Sequence, residues 1–333
     1  MEKMRRHKRW GSVMVLFCCL CLFLAACGEG EPVEETTSKT ERAVSVNNGT
    51  LNEDSIAVSV GKTTVPYKEY KAYYYFMESQ YAGILTSDIW AYKGALDGGK
   101  TIQQEAVEDV LRLIIQVKVI TKAAAVQGIK LAADEKEEAD YNAKKFCEGL
   151  SDSVRQANSI TQPLLTQIFE ENKLAEKMYR VISGKVDVNV TAEQARAAKV
   201  LLIFLKTEGQ DKAKVKQKAE ELHQKAVSGE GSFYKLAKEN TQDSQVETII
   251  GQMDERKTLA GTVLAMKKYQ TSGVIEEKDG YYIAYCLCPP GKKMNEEYRN
   301  QVVAERQVQG FQKAYKEWSE QYEVKVSKSL LAK

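Results

Sequence analysis

The sequence predicts an α+β protein with two folded parts, one mostly helical and one built from both strands and helices. Apolar residues recur at helical spacing through most of residues 55–190 and again after residue 290, whereas residues 191–289 begin and end with strand-like segments. The last predicted helix carries a stripe of aromatic residues. It follows the separate segment 191–289 and has no core of its own to bury this stripe. We therefore expect this helix to return to the first helices, which makes the helical domain discontinuous in sequence.

Residues 1–26 are predicted to be an export signal. Basic residues precede an apolar run over 11–26, which is shorter than the roughly 20 residues that a membrane-spanning helix needs. The sequence "LAAC" that ends at Cys27 resembles the bacterial lipobox, in which the cysteine receives a diacylglyceryl group and becomes the new N-terminus. The resemblance implies a protein that is lipid-anchored at Cys27 on the extracytoplasmic face of the cell membrane. An ordinary secretory signal with an incidental cysteine is the alternative.

The exported part of the chain has a nearly balanced charge. Removal of residues 1–26 takes away five Lys or Arg residues and one Glu, so the remainder has 43 basic and 45 acidic side chains and no field that would attract nucleic acid. Residues 27–54 are rich in Glu, Thr and Asn and lack large aromatic residues, which predicts a flexible tether.

Residues 55–190 are predicted to form the first part of the helical domain. A short strand at 56–60 precedes a helix entered through Pro66, and further helices follow at about 102–126, from near Asp134, and at about 162–182. Residues 290–326 are expected to complete this domain with a long helix and a strand, followed by a tail at 327–333. The aromatic residues of this long helix have intervals of four, three and four: Phe311, Tyr315, Trp318 and Tyr322.

Residues 191–289 are predicted to form a separate α+β domain. The segment "AAKVLLIFLK" is an expected first strand, "GYYIAYCLC" a closing strand, and three helices lie between them. Cys286 and Cys288 lie two apart on the closing strand; they are either a metal-binding pair or, as we expect, small buried apolar residues. We expect no structural disulfide, metal or cofactor.

The segment "GSFYKLAKENTQD" resembles the pattern F-x-x-L-A-K-x-x-S/T-x-D of the parvulin-type peptidyl-prolyl isomerases. The matching residues are Phe233, Leu236, Ala237, Lys238, Thr241 and Asp243. Taken with the lipobox, the N-terminal helices and the last helix, the chain resembles a PrsA/SurA-type extracytoplasmic foldase. The resemblance implies a SurA N-domain-like helical chaperone domain and a parvulin-like domain.

Several positions depart from the parvulin pattern. The resemblance places Lys199 and Tyr282 where the family has histidines in its first and last strands, and Leu259 where it has a pocket phenylalanine. Asp243 stands at the family's active-site Asp or Cys position, where it is either catalytic or a solvated loop acid. His223 is expected to be an ordinary helix residue.

These departures imply weak or absent isomerase activity, because a lysine brings a charge where a neutral hydrogen-bonding network is expected. The sequence therefore favours a membrane-anchored chaperone for unfolded or partly folded exported proteins. Two alternatives stay open: an active peptidyl-prolyl isomerase, and a binding or assembly lipoprotein that is not a chaperone. A homodimer is also left open.

Overall fold

The computed structural model describes residues 51–81, 101–229 and 231–331. These residues form two compact units. The helical unit comprises the described residues up to Lys185 and those from Val308 onward, and the mixed unit comprises Val186–Gln307. This division confirms the predicted fold class, including the discontinuous helical part. Cys27, the export signal and most of the tether lie outside the described residues.

The helical unit combines a bundle of helices with a small antiparallel sheet. Its elements are β1 (Ile56–Val60), β2 (Thr63–Pro66), α1 (Tyr67–Tyr81), α2 (Ile102–Val126), α3 (Ala133–Glu148), α4 (Asp152–Ala157), α5 (Gln162–Ser183), the end of α9 (Lys292–Ser319), β7 (Val324–Val326) and α10 (Lys328–Leu331). The strand order is β2-β1-β7, so the two ends of the unit meet in one sheet.

Helix α2 is the most deeply buried helix of those described in this unit. It begins at a capping box in which Gln104 N donates to Thr101 Oγ1 at 3.2 Å and Thr101 N donates to Gln104 Oε1 at 2.9 Å. Val117 and Ile120 on its apolar face are fully buried. Helices α1 and α5 pack against it, so α2 organises the core.

The aromatic stripe of α9 packs on the N-terminal helices, as predicted. Phe311 is 4% exposed, and its ring lies 5.3 Å from that of Tyr179 on α5 in an edge-to-face arrangement. Beyond the helix, Lys122 Nζ on α2 lies 5.1 Å from the Tyr322 ring. The C-terminal segment therefore completes a core that the first part of the chain cannot close by itself.

A buried ion cluster links three helices of this unit. We call it the Lys118 cluster: Lys118 on α2, Glu69 on α1, and Gln167 and Glu171 on α5. Lys118 Nζ donates to both Glu171 oxygens at 2.7 and 2.6 Å, and it lies 2.7 Å from Glu69 Oε1, a contact that is electrostatic rather than a well-aligned hydrogen bond. Gln167 Nε2 donates to both carboxylates at 3.3 Å. Burial raises the pKa of Glu69 although Lys118 opposes this shift.

The mixed unit is an antiparallel sheet with helices on both faces. Its elements are β3 (Ala197–Lys206), α6 (Lys212–Ser228), α7 (Phe233–Asn240), β4 (Glu247–Gly251), α8 (Lys257–Ala265), β5 (Ile275–Glu276), β6 (Gly280–Cys288) and the start of α9. The strand order is β4-β3-β6-β5. The unit extends past the predicted segment 191–289 at both ends, because Val190, Met294 and Tyr298 share a cluster with Ala197 of β3.

Strand β4 is an element that the sequence analysis missed. The parvulin resemblance places a glycine-rich turn at "TIIGQMDER", in which only Gly251 is left of the family's glycines, but residues 247–251 pair with β3 along its first half. The β-branched run at 248–250 favours this strand. Gly251 ends the strand beside α9, where a Cβ atom would lie 2.1 Å from Tyr298 Cζ. The retained glycine thus permits close packing of β4 on α9.

Candidate functional site

The two faces of the β4-β3-β6-β5 sheet carry different side chains. Because side chains alternate along a strand, Leu202 and Phe204 of β3 lie on one face with Tyr282 of β6. Helix α8 covers this face, and we call it the α8 face. Ile203 and Ile283 lie on the opposite face, which α6 and α7 cover. The parvulin-site positions Leu259 and Tyr282 both belong to the α8 face.

Tyr282 is almost completely enclosed, with 1% of its surface exposed. Its partner across the ladder is Phe204, and the two rings stack with centroids 4.6 Å apart and planes 16° apart. The Tyr282 hydroxyl donates to Asp279 Oδ2 at 2.5 Å. Burial, with a further contribution from Asp279, raises the pKa of Tyr282 well above its usual range. The phenol is therefore a neutral, fixed hydrogen-bond donor at physiological pH.

Arg256 brings a positive charge to the same ring. Its guanidinium lies 5.4 Å from the Tyr282 ring centroid, and it binds Asp254 through two hydrogen bonds of 3.0 and 2.8 Å. The hydrogen bond to Asp254 raises the pKa of Arg256 further above its usual range. Leu259, in the first turn of α8, is fully buried, and its backbone N donates to Glu277 Oε1 at 2.9 Å. The ring of Tyr282 is thus enclosed by stacking, charge and apolar packing.

Asp243 lies in the loop that runs beside Phe204. Thr241 Oγ1 accepts hydrogen bonds from Phe204 N at 3.0 Å and from Asp243 N at 3.3 Å. Asp243 is half-buried, and its Oδ1 accepts a hydrogen bond from Ser244 N at 2.8 Å. The structure therefore brings the Asp243 loop next to the Phe204–Tyr282 stack.

Lys199 is not brought together with Tyr282. Its ladder partner is Cys288, six residues further along β6, and a bulge separates Lys199 from Val200. Its ammonium lies 3.5 Å from Glu247 and 3.6 Å from Glu297 in partly exposed ion pairs. The lysine therefore has an ordinary surface role at the start of the sheet.

The β3 residues that face Tyr282 are Phe204, directly opposite, and Leu202, whose ladder partner Ala284 lies two residues from Tyr282. The sequence analysis missed both, along with Arg256. The alternation of side chains along β3 could have identified Phe204 and Leu202. Even-numbered positions of β3 lie on the face of Tyr282, whereas Lys199 is at an odd-numbered position.

The remaining reactive side chains of the mixed unit lie away from this stack. His223 is half-buried on α6, which packs on the opposite sheet face. Cys286 is buried, as predicted, and burial raises the pKa of its thiol; the same prediction is wrong for Cys288, which is exposed at the end of β6. Both are free thiols, as is Cys147 in the helical unit. Among the described residues, no three metal-ligating side chains come together.

The helices of residues 51–81, 101–229 and 231–331 include none with the length and apolar character required to span a bilayer.

Comparison with known proteins defines the class of the mixed unit. Residues 200–287 match the family model "Rotamase: PPIC-type PPIASE domain". These residues are therefore similar to PPIC-type peptidyl-prolyl isomerase domains, which confirms the parvulin-type resemblance found in the sequence. No protein of curated function matches the chain in sequence.

Solved structures similar to this chain include several foldases and chaperones. The peptidylprolyl isomerase PrsA from Bacillus anthracis is 19% identical, with a TM-score of 0.39, covering 63% of this chain and 96% of its own. The foldase PrsA from Lactococcus lactis is 14% identical, with a TM-score of 0.30, covering 83% and 96%. A SurA-like chaperone from Campylobacter jejuni is 12% identical, with a TM-score of 0.31, covering 82% and 98%.

Proposed function

We propose that this chain is an extracytoplasmic folding chaperone, anchored through lipid on Cys27, whose parvulin domain has little or no isomerase activity. The observation that carries the proposal is the α8 face of a PPIC-type domain, where Tyr282 stands at one of the family's histidine positions and stacks on Phe204, while Lys199 at the other position is not brought together with it. A domain that keeps the fold while the polar groups beside Tyr282 are already bonded to one another is suited to holding unfolded clients rather than to isomerising them.

The chemistry of isomerisation explains why this face is a poor catalyst. Rotation about a peptide bond has a barrier of about 18 to 20 kcal/mol, and an isomerase lowers it by binding the twisted amide better than the planar forms. Such binding needs an open apolar pocket and polar groups that are free to follow the rotating carbonyl. Here the Tyr282 hydroxyl donates to Asp279 and Arg256 is held by Asp254, so both donors are already engaged.

Retained isomerase activity is the second candidate, and the position of Asp243 favours it. The carboxylate is half-buried in a loop hydrogen-bonded to Phe204, and its Oδ1 accepts a hydrogen bond only from the next residue among the contacts described. If the Phe204–Tyr282 stack opens to admit a proline ring, this carboxylate is the group left to polarise the amide.

Suppression of client aggregation tests the chaperone function. We expect the exported chain, residues 28–333, to suppress aggregation of a chemically unfolded exported protein at an equimolar ratio, measured by light scattering. Asp243→Ala should leave this suppression unchanged, because holding a client needs contact area rather than a catalytic carboxylate. Two results together would instead support a binding lipoprotein that is not a chaperone. The chain would fail to suppress client aggregation, and a pull-down would capture one folded partner at fixed stoichiometry.

Anchoring is tested by replacing the proposed lipid-bearing residue. Cys27→Ser is expected to abolish incorporation of labelled palmitate and to release the chain from the membrane fraction, because stable attachment depends on the acyl chains. Cys288→Ser is the matched control and should leave both unchanged. Membrane retention of the Cys27→Ser chain without label would contradict lipid anchoring.

A further inference from the structure

A segment of the predicted tether repeats the sequence of the first strand and its turn. Residues 43–51 read "AVSVNNGTL", and residues 57–65, which hold most of β1 and β2, read "AVSVGKTTV". The first four residues of the two segments are identical, and a threonine and an aliphatic residue follow at matching positions. Residues 43–50 lie outside the described residues. The sequence nevertheless offers a second copy of a strand that the helical unit is known to bury.

The repeated pattern is that of a strand with one apolar face. In β1, two fully buried valines flank the partly exposed Ser59. Residues 44–46 have the same alternation of valine, serine and valine, which predicts a half-buried strand. The Asn-Gly pair at 48–49 is typical of a tight turn. Leu51, where the described residues begin, packs against the core of the helical unit, so the segment ends beside a core that it can extend.

The small sheet of the helical unit has an open edge at β7 among the described residues. Ser327 N, just after β7, donates to Ala57 O of β1 at 2.9 Å. Backbone groups alternate in direction along an antiparallel strand, so those of Val324 and Val326 point away from β1. No backbone hydrogen bond from the described residues reaches this side of β7. Strand β7 can therefore accept one more strand.

The edge at β7 is better suited to a further strand than the edge at β2. Strand β2 ends at Pro66, which has no N–H to donate, and Val65 beside it is already fully buried. Val324 and Val326 of β7 pack against the core but stay partly exposed. An added strand would cover these two valines with its own. Strand β7 thus combines free backbone groups with apolar surface that is not fully covered.

We propose that residues 43–46 of the same chain pair with the free edge of β7 as a fourth strand, with Val44 and Val46 toward the core. The sequence identifies this occupant, because it repeats that of β1, the strand that pairs with β7 on its other side. The link from Val46 to Leu51 spans at most about 17 Å, whereas the two strand spacings from β1 to the proposed strand amount to about 10 Å.

This pairing would have two consequences for the anchored protein. An exposed strand edge is a template for pairing with other extended chains, so covering β7 would prevent such pairing. It would also leave only residues 28–42 as free tether, with an end-to-end distance of roughly 20 Å if flexible. The inference does not rest on the proposed chaperone function or on isomerase activity.

Hydrogen exchange measured by mass spectrometry on the exported chain tests the pairing. After correction for intrinsic rates, the amides of residues 43–46 should exchange at least about ten-fold more slowly than those of residues 33–40. Val46→Asp should abolish this protection and speed exchange in β7, because the pairing would bury an unpaired carboxylate. Val33→Asp is the matched control: it makes the same change in the tether outside the repeat and should leave both rates unchanged.

Three outcomes would overturn the proposal. The first is exchange of residues 43–46 at the rate of residues 33–40. The second is a Val46→Asp variant that exposes β2 to exchange and leaves β7 unchanged. The third is protection that disappears on dilution, which would assign the strand to a second copy of the chain. Client aggregation is a separate measurement, so failure of the chaperone function and failure of this pairing are distinguishable.

Discussion

Lys118→Met is expected to lower the free energy of unfolding of the helical unit by about 3 to 5 kcal/mol, because it leaves two carboxylates without their cation. Lys118 is 4% exposed in its side chain and Glu69 is 2% exposed, so water cannot replace the lost partner. Methionine fills the space of the lysine stem, which confines the effect to the charge. Residues 186–307 contain no tryptophan, so denaturant unfolding followed by tryptophan fluorescence reports on the rest of the chain.

Two controls distinguish this buried cluster from ordinary ion pairs. Lys68→Met removes a surface pair in which Lys68 Nζ lies 2.8 Å from Asp54 Oδ1 with both side chains exposed, and it should cost less than about 1 kcal/mol. Glu69→Gln should also be mild, because Lys118 keeps Glu171 as its counter-ion at 2.6 Å. A loss for Lys118→Met no larger than that for Lys68→Met would contradict the assigned role.

The same cluster predicts a dependence of stability on pH. The pKa of Glu69 is raised by burial, so the folded chain binds this proton more tightly than the unfolded chain does. Glu69 therefore contributes its full stabilisation of the fold at a pH below 4.5, the ordinary pKa of a glutamate. This stabilisation is lost as the pH rises through the pKa of Glu69 in the folded chain. We therefore expect Glu69→Gln to flatten the decline in stability of the helical unit above this pH.

Gly280→Ala is expected to destabilise the mixed unit by roughly 3 to 5 kcal/mol. A Cβ atom at Gly280 would lie 2.1 Å from Leu205 O and 2.9 Å from Phe204 Cε2, so the added methyl group meets the backbone of the neighbouring strand. Strand β6 pairs with β3 from Lys206↔Gly280 onward, so the clash falls where this pairing begins. Hydrogen exchange measured by mass spectrometry should show faster exchange in β3 and β6.

Gly273→Ala is the matched control for this substitution. A Cβ atom at Gly273 would have no heavy atom within 4 Å, and the residue lies in the same unit. Its exchange rates should match those of the original chain. Equal protection of β3 and β6 in Gly280→Ala and Gly273→Ala would contradict the prediction. It would show that the two strands accommodate the added methyl group without losing their pairing.

Much of the fold could be predicted from the sequence because the patterns that specify it are local. Apolar periodicity alone predicted α2 at about residues 102–126, and the aromatic intervals of α9 indicated a buried face. Strand β4 was missed because it is short and ends in the glycine that a turn also favours. Pairing with β3 decides its structure, and that contact is long-range in sequence.

The site was harder to predict than the fold, because it depends on which residues face one another across the ladder. The family resemblance drew attention to Lys199, whereas the strand register sets Phe204 and Leu202 against Tyr282. Arg256 and Asp279 reach the Tyr282 ring from two different loops, and no spacing rule connects them. Residues that contact Tyr282 in this way can be identified only once the register of the strands is known.

The central claim is that the parvulin domain has little or no isomerase activity, because Tyr282 stacks on Phe204 and the hydrogen-bond donors beside it are already engaged. The most direct test is a protease-free prolyl isomerisation assay, with the exported chain and its Asp243→Ala variant compared at equal concentration. We predict isomerisation rates close to the uncatalysed rate for both proteins. Robust turnover by the original chain, abolished by Asp243→Ala, would contradict the account and establish the chain as an active isomerase.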